Sequence, residues 1–552
     1  MLRLLSIPLA LLLLLAVAVI WSGGGAEEPR ADFSFISRTD VNTLDIGQIS
    51  YLADMRVAYA IWEGLYAMHP ETLDPVPGVA SSHEVNPEKT VYTFHLRPEA
   101  RWSNGDPVTA HDFVFAWRRI LQSPGEYTYL HYYINNAETY CMRYARREPV
   151  DFKTVGLVAT DPYTLRVTLA NPVTFFLDLM AFPPFFPLHE KSMRSFAHVG
   201  QDSRVLYDQQ FTRPPNLVTN GPFMLTRWEF KRRLRLEANP HYWDIANVKS
   251  RSIDMAIVED PLTMLRRYEF GKVDWLADIP SEIGSELMGM NRPDMHNFPG
   301  FATLFITLNC KPTLAGGRPN PMADFRIRQA MAMTIDKKTI THTILRMGEQ
   351  PATNYIPPGV FAGYQSKPGL PYDIPAARRL LTDAGFPNGK NFPRLTVIFR
   401  ADRPAVRDWV QNVVKQWHTN LGIEVALQTL EGKTLRTRVN ARDFDIAPGD
   451  WTGDYNDPST FTDKFRSNSE NNDSAWINEQ YDRLVHAAAS DSDPAKRFRL
   501  LEQAEQILNE QVPVIPLCHL TNSYLFRDNV KGINLNPRNM TIFKGVYVQR
   551  KP

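Results

Sequence analysis

Residues 91–120 read VYTFHLRPEARWSNGDPVTAHDFVFAWRRI, and this stretch carries the strongest local structural signals in the chain. Val91–Leu96 is predicted to be a strand, and the Asn104-Gly105 pair is a strong turn signal. Thr109 is placed to cap a helix that begins near Ala110. One face of this helix carries Phe113, Trp117 and Ile120. The stretch therefore predicts a strand, a turn and an amphipathic helix in succession.

An acidic residue in the first turn of this helix, Asp112, has two readings. One reading is a catalytic acid. The other is structural, because a carboxylate at the start of a helix interacts favourably with the helix dipole and stabilises the helix by about 0.3–1 kcal/mol. We favour the structural reading, because no local motif pairs Asp112 with a second catalytic group.

Strands and helices alternate along the rest of the chain. Strands are predicted at 33–36, 165–169, 224–228, 234–238, 252–258, 302–309, 395–399, 423–427 and 512–517. Helices are predicted at 262–270, 376–385 and 407–417, at a helix capped by Asp324, and at a long helix that begins at Asp493-Pro494. Strand–helix–strand units of this kind indicate an α/β fold with at least one largely parallel sheet.

A second informative stretch, residues 444–461, reads FDIAPGDWTGDYNDPSTF. It is predicted to be a short strand through Phe444 and Ile446, followed by a turn-rich loop. The loop places Trp451 and Tyr455 among acidic residues. These acids are Asp445, Asp450, Asp454 and Asp457. Aromatic faces beside carboxylates suit a positively charged organic group, whereas the alternative is a surface turn around one buried tryptophan.

Composition excludes several classes of function. The chain has 552 residues, enough for three or four lobes at about 150 residues each, and its net charge of +1 gives no basic stripe for nucleic acid. Cys141, Cys310 and Cys518 are far apart, so neither zinc nor a redox pair is indicated. The chain contains no GxxxxGK[ST], HExxH or GxSxG motif, so neither a cofactor nor an enzyme activity is indicated.

The N-terminus is apolar from Leu4 to Trp21 and then small and polar. This pattern predicts an export signal that ends near Ala26. The apolar run is about 18 residues long, close to the minimum for a spanning helix, so an uncleaved anchor stays open. In both cases the chain from about Glu27 onward lies outside the cytoplasmic membrane.

Several motifs in order resemble one protein family. They are the 91–120 stretch, the NGPF hairpin from Asn220 with NPHYW after it, the FRIRQAMAMTID helix from Phe325, and W-x-x-DYN-D-P from Trp451. This pattern resembles the extracytoplasmic solute-binding proteins of ABC transporters, in particular the oligopeptide- and dipeptide-binding family. The motifs run from about Thr43 to Lys544, nearly the whole exported chain.

The resemblance implies a two-lobed α/β periplasmic-binding-protein fold, type II and cluster C-like, with an additional inserted subdomain. The expected divisions are 1–26 as signal or anchor, 27–75, 190–305 and 519–552 as lobe I, 76–189 as the inserted subdomain and 306–518 as lobe II. The apolar segment Phe175–Leu188 is expected where the two lobes meet.

The resemblance also implies a ligand site. In this family the acid at the position of Asp454 holds the α-ammonium of a bound peptide. Trp451 and Tyr455 are expected to wall the site, Gly449 to allow close backbone approach, and Tyr127 or Tyr129 to touch the ligand. The chain departs from the family in having Pro448 in place of an arginine and Ser50 in place of a ligand-contacting acid. These departures leave the exact ligand and the preferred peptide length open.

The expected function is capture of di- to oligopeptides between closing lobes, with delivery to an ABC-transporter permease. The protein is expected to be monomeric and exported, and either released or tethered to the membrane by its N-terminal segment. Relatives with the same fold bind sugars, nickel complexes or haem, so another solute is one alternative. A membrane-anchored sensory or structural role is a second alternative, and an extracytoplasmic hydrolase is the least favoured.

Overall fold

A computed structural model describes residues 29–201, 204–400 and 403–550. The predicted signal or anchor segment, 1–26, lies outside these residues. None of the helices within the described ranges is both long and apolar enough to cross a membrane.

One large sheet organises the described chain. Its strands, in spatial order, are Phe223–Glu229, Arg233–Ala238, Ser252–Ile257, Phe33–Ser37, Trp275–Leu276, Val514–Phe526, Met295–Leu308, Ile446–Thr452, Leu395–Arg400 and Val425–Leu430, with Gln350–Pro351 beside Val514–Phe526. Strand Phe33–Ser37 runs parallel to both of its neighbours, and Leu395–Arg400 does the same. The centre of the sheet is antiparallel, so the sheet is mixed rather than largely parallel.

Two strands are much longer than the others, and we call Met295–Leu308 and Val514–Phe526 the long strands. They pair antiparallel, and their register shifts between Pro299 and Thr303. The sequence predicted only 302–309 and 512–517, because Pro299-Gly300 and the polar residues after Leu517 read as strand ends. The register shift accommodates Pro299-Gly300, and the strands continue through it.

Separate hydrophobic cores lie on either side of this register shift. One core is built mainly from residues 33–277 and 524–546, with a smaller one from 258–287 beside it. The others are built from residues 301–518. We call these two parts the first half and the second half of the molecule. The long strands are the elements that the two halves share.

The first half carries a small four-stranded antiparallel sheet. Its strands, in spatial order, are Ala80–Val85, Val91–Leu96, Thr164–Thr168 and Leu157–Asp161. The helix Ala110–Gln122 follows this sheet, and the Asp112 carboxylate accepts hydrogen bonds from the Thr109 backbone N–H at 2.8 Å and hydroxyl at 3.0 Å. The sequence predicted this strand and this helix start correctly, and the structural reading of Asp112 is confirmed.

The longer helices follow the predicted alternation. They are Leu52–Ile61, Ala110–Gln122, Ala137–Ala145, Pro261–Glu269, Ser281–Gly289, Phe325–Met333, Ile374–Asp383, Pro404–Leu421, Gly432–Asn440, Glu479–Ala489 and Pro494–Gln511. Asp324 and Asp493 cap their helices through side-chain oxygens, as predicted.

The strand that precedes the predicted ligand loop is longer than expected. It spans Ile446–Thr452 and pairs with Ala302–Leu308 along its full length. Trp451 therefore lies in a strand and not in the loop, which corrects the prediction. Pro448 did not end the strand, because it is paired with Ile306 on one side, while the pairing with Leu395–Arg400 on the other side involves only Ile446. The loop itself begins at Gly453.

Candidate functional site

The loop that follows Ile446–Thr452 lies where the two halves of the molecule meet. Its first residue, Gly453, donates its backbone N–H to the carbonyl of Phe301 at 2.9 Å, within the register shift of the long strand. A Cβ atom at Gly453 would overlap the Phe301 ring, so this position requires glycine's small size. Asp454 donates its N–H to the Thr460 hydroxyl at 2.8 Å. The chain is therefore bonded to the long strand just before Asp454, and Asp454 itself is bonded to Thr460 farther along the same segment.

Four acids occupy this region, and they have different partners. Asp445 is buried and accepts two bonds from Arg318, at 2.8 and 3.1 Å. Asp457 is buried in an ion pair with Arg497 at 2.5 Å. Asp450 is exposed on the strand. Asp454 is left as the one of the four whose carboxylate is enclosed by neutral donors.

Those neutral donors are tyrosine hydroxyls from the first half. Tyr129 donates its hydroxyl to Oδ2 of Asp454 at 2.8 Å, and the hydroxyl of Tyr127 lies near enough to this carboxylate to lower its pKa. Burial raises the pKa of Asp454 to about 6, although the two tyrosines and the nearby Arg538 favour the ionised form. At neutral pH the carboxylate is thus ionised and poorly solvated. A cation that replaced the tyrosine contacts would relieve this cost.

The two aromatic residues predicted to wall the site have different surroundings. Trp451 is half-buried; its Nε1 donates to the Thr460 carbonyl at 2.8 Å, and the Lys464 Nζ lies 4.7 Å from its ring centroid. Tyr455 is fully buried and stacks on Phe175 of the first half, with ring centroids 4.3 Å apart. Tyr455 thus joins the two halves through packing. Ligand contact by either residue stays a prediction.

Gly449 lies within the strand and opposite Phe305 of the long strand. A Cβ atom at Gly449 would come within 2.5 Å of the Phe305 ring, so packing alone explains a glycine here. Its predicted part in ligand approach stays a prediction. Two residues differ from the pattern that the family resemblance implies. Pro448 is half-buried next to Gly449, and Ser50 is half-buried just before the helix Leu52–Ile61 of the first half.

Sequence reasoning missed further contacts between the halves. Arg538, near the C-terminus, donates to the Asp454 backbone carbonyl at 2.7 Å and to Asp178 at 2.9 Å. Tyr133 donates its hydroxyl to Asp463 at 3.2 Å. The apolar segment Phe175–Leu188 was expected between the halves; its start, at Phe175 and Asp178, contacts the second half, whereas the rest packs in the core of the first half. Arg538 gave no signal, because it is distant in sequence from the loop that it contacts.

The described part of the chain contains neither a metal-binding cluster nor a disulfide bond. No cluster of three or more His, Cys, Asp or Glu side chains there is arranged to hold a metal ion. Cys141, Cys310 and Cys518 are free thiols.

Comparison with known proteins gives a consistent family. Residues 74–473 match the sequence model of the bacterial extracellular solute-binding proteins, family 5 (middle region). The oligopeptide-binding protein OppA of Bacillus subtilis is 28% identical over 88% of this chain and 87% of its own length. The periplasmic murein peptide-binding protein MppA of Escherichia coli is 29% identical over 92% of this chain and 91% of its own.

Solved structures agree with these sequence matches. The structure of Escherichia coli MppA superposes with a TM-score of 0.80 at 28% identity, covering 95% of this chain and 99% of MppA. The unliganded open form of MppA gives a TM-score of 0.72 at 28% identity, covering 94% and 97%. Listeria monocytogenes OppA bound to peptide gives 0.77 at 29% identity, covering 94% and 99%.

Proposed function

The chain belongs to the bacterial extracellular solute-binding proteins of family 5, and from that membership we propose that it binds peptides between two lobes through their α-ammonium group. One observation carries the proposal: the carboxylate of Asp454 lies half-buried where the halves meet, with the Tyr129 hydroxyl as its donor at 2.8 Å and Tyr127 beside it. The two similar proteins named above are peptide-binding proteins, and one solved relative holds a peptide.

The physical mechanism is capture. The peptide's ammonium group would replace the tyrosine hydroxyls at Asp454, and a charge-assisted hydrogen bond of this kind contributes about 1.5–3 kcal/mol. An extended peptide would pair its backbone with strand edges along the cleft, and such pairing is independent of side chains. The site would then accept a range of sequences with one fixed end.

The charge of Asp454 also separates peptides from other ligands. A ligand that placed a carboxylate at this position would meet a second, poorly solvated negative charge, which is unfavourable by several kcal/mol. Ligands without an amine would leave the desolvation of the Asp454 carboxylate, which raises its pKa, without compensation by a positive charge. An amine-bearing ligand is therefore favoured over a sugar or an anionic solute.

The lobes of the proposed mechanism correspond to the two halves. Lobe I comprises residues 27–75, 190–305 and 519–552. The inserted subdomain comprises residues 76–189, and lobe II comprises residues 306–518. The register shift of the long strands between Pro299 and Thr303 supports a hinge close to the 305/306 and 518/519 divisions. Trp451, Tyr455 and Gly449 complete the site on the lobe II side.

The cellular role follows from the family. We propose a monomeric extracytoplasmic protein that delivers peptides to the permease of an ABC transporter and leaves them chemically intact. The N-terminal segment 1–26 would export it or tether it to the cytoplasmic membrane.

Calorimetric titration of the chain from Glu27 onward tests this function. The panel comprises di- to pentapeptides, a mixed set of sugars and a nickel chelate. We expect binding of peptides alone, with each peptide recovered intact by mass spectrometry after prolonged incubation. Binding of sugars or nickel in place of peptides would contradict the proposal, and recovered hydrolysis products would indicate an enzyme.

A further inference from the structure

A buried ion pair lies in the first half, directly against the loop that carries Asp454. Arg538 and Asp178 are joined by a 2.9 Å contact between Nη1 and Oδ1, and their side chains are 3% and 5% exposed. Such a pair is costly to bury, and it stabilises a fold only when its remaining donors and acceptors are also used. Nη2 of Arg538 and Oδ2 of Asp178 are used by the opposite half of the molecule, whereas Nε of Arg538 is buried without a hydrogen-bond partner.

Each member of the pair binds the backbone of the loop. Arg538 donates from Nη2 to the carbonyl of Asp454 at 2.7 Å, and Oδ2 of Asp178 accepts the backbone N–H of Asn456 at 2.8 Å. The pair thus presents one donor and one acceptor to two peptide groups that flank Tyr455. Contacts to backbone groups on both sides fix the direction of the loop as well as its position.

Arg538 is itself held in place. The side chain of Asn536 accepts the Met540 N–H at 3.1 Å and donates to the Met540 carbonyl at 2.7 Å, which closes the turn with Arg538 inside it. The preceding carbonyl, of Pro537, accepts the N–H of Phe301 at 2.8 Å, and the Phe301 carbonyl accepts Gly453. The turn and the loop are therefore connected through the long strand as well as through Arg538.

We propose that Asp178 and Arg538 form a two-point clamp on the backbone of residues 454 and 456 that holds the halves together and orients the carboxylate of Asp454. They are positioning residues, since their contacts reach the loop backbone and leave the carboxylate to the ligand. This inference rests on the proposed function for its effect on peptides, while the clamp itself is measurable without a ligand.

The test uses Arg538→Met, Asp178→Asn and the double variant Arg538→Met/Asp178→Leu in the chain from Glu27 onward. The double variant removes both charges, so no unpaired buried charge threatens folding. The matched control is Arg235→Met, which removes a buried arginine of the first half from its ion pairs with the partly exposed Glu237 and Asp254.

Two readouts are compared with wild type. Amide hydrogen exchange of residues 453–458 in the ligand-free protein reports the Asn456 N–H, and we expect about tenfold faster exchange in the double variant but not in Arg235→Met. Titration with a free tripeptide and its N-acetylated form reports orientation of Asp454. We expect Arg538→Met to lower the affinity for the free tripeptide about 10- to 100-fold. We also expect it to reduce the ratio of the affinity for the free tripeptide to that for the N-acetylated tripeptide. Asp178→Asn keeps an acceptor for the Asn456 N–H, so its affinity for the free tripeptide should lie between those of wild type and Arg538→Met.

Each outcome decides the matter. Unchanged exchange in the double variant would overturn the clamp. Faster exchange with an unchanged ratio between free and acetylated peptides would show that the pair has no part in orienting Asp454, which also overturns the proposal. Wild-type protein that binds no peptide would refute the proposed function, and the exchange result alone would then support or overturn the clamp between the halves.

Discussion

Asp454 differs from the other acids of its region in what satisfies its charge. Asp445 and Asp457 are neutralised by arginines, whereas the Asp454 carboxylate is enclosed by tyrosine hydroxyls. The sequence identified Asp454 through a family resemblance, and it left Tyr127 and Tyr129 as alternatives. The structure brings both tyrosines to the same carboxylate: Tyr127 directly precedes the short helix Thr128–Tyr133, and Tyr129 lies in its first turn.

The pKa of Asp454 predicts how peptide affinity changes with pH. An ammonium group binds the ionised carboxylate, so protons compete with the peptide below the pKa of about 6. We expect affinity for a C-terminally amidated peptide to fall about tenfold from pH 7 to pH 5, where the peptide's own ammonium stays charged. Calorimetric titration at both pH values measures this.

A linkage argument and one control variant separate this effect from unfolding. Because the pKa is raised in the folded state, the folded protein takes up this proton at a higher pH than the unfolded chain does, so acidification to pH 5 gains stability from this group. The variant Asp454→Asn should bind weakly and equally at both pH values. An equal drop in the variant would assign the pH dependence to another group.

At the scale of single elements, the cap of the helix Ala110–Gln122 tests a structural assignment. Replacing Asp112 by alanine removes the acceptor for the Thr109 N–H and hydroxyl, at a cost of about 1–2 kcal/mol in the free energy of unfolding. Urea denaturation measures this loss. Peptide affinity should be unchanged, and a large loss of affinity at wild-type stability would instead give Asp112 a ligand role.

The loop before Asp454 depends on a glycine. Alanine at Gly453 would force its methyl group against the Phe301 ring, so we expect about 1–3 kcal/mol of destabilisation and weaker peptide binding. The matched control is Gly289→Ala at the end of the helix Ser281–Gly289, where the added methyl group has no neighbour within 4 Å beyond its own helix backbone and the adjacent residues. Urea denaturation and titration compare the two. Equal behaviour of both variants would contradict the tight contact.

Elements with strong local signals were predicted well, and those that depend on distant partners were not. Val91–Leu96 and the helix start at Ala110 follow from local pattern and capping. The strand Ile446–Thr452 was predicted too short, because its pairing with the long strand continues through Pro448 and Gly449. The partner that overrides a local break is invisible in a single sequence.

At the scale of the whole molecule, two sets of cores are joined through the long strands. The register shift between Pro299 and Thr303 interrupts the pairing of the two long strands at the point where they pass from one half to the other. This interruption favours bending there. The halves touch through Tyr129, Arg538 and Phe175 in this structure. The TM-score to MppA is 0.80, against 0.72 to its unliganded open form, in keeping with closely apposed halves.

Closure predicts a change of shape in solution. Ligand-free protein is expected to be mainly closed, with a minor population of forms in which the contacts between the halves are broken, and peptide shifts this minor population toward the closed form. The radius of gyration from small-angle X-ray scattering should therefore decrease at saturating peptide. The variant Asp454→Asn with the same peptide concentration is the control, and it should show a smaller decrease. A radius that is independent of peptide in wild type would contradict closure.

The central claim is that Asp454 holds the α-ammonium of a peptide, and a thermodynamic cycle tests it most directly. Wild type and Asp454→Asn are titrated at pH 7 with one tripeptide and its N-acetylated form. We predict that acetylation weakens binding to wild type by about tenfold or more and has little effect on the variant, because the charge-assisted contact is already lost. An equal acetylation penalty in both proteins would place the peptide's amino end elsewhere and contradict the account.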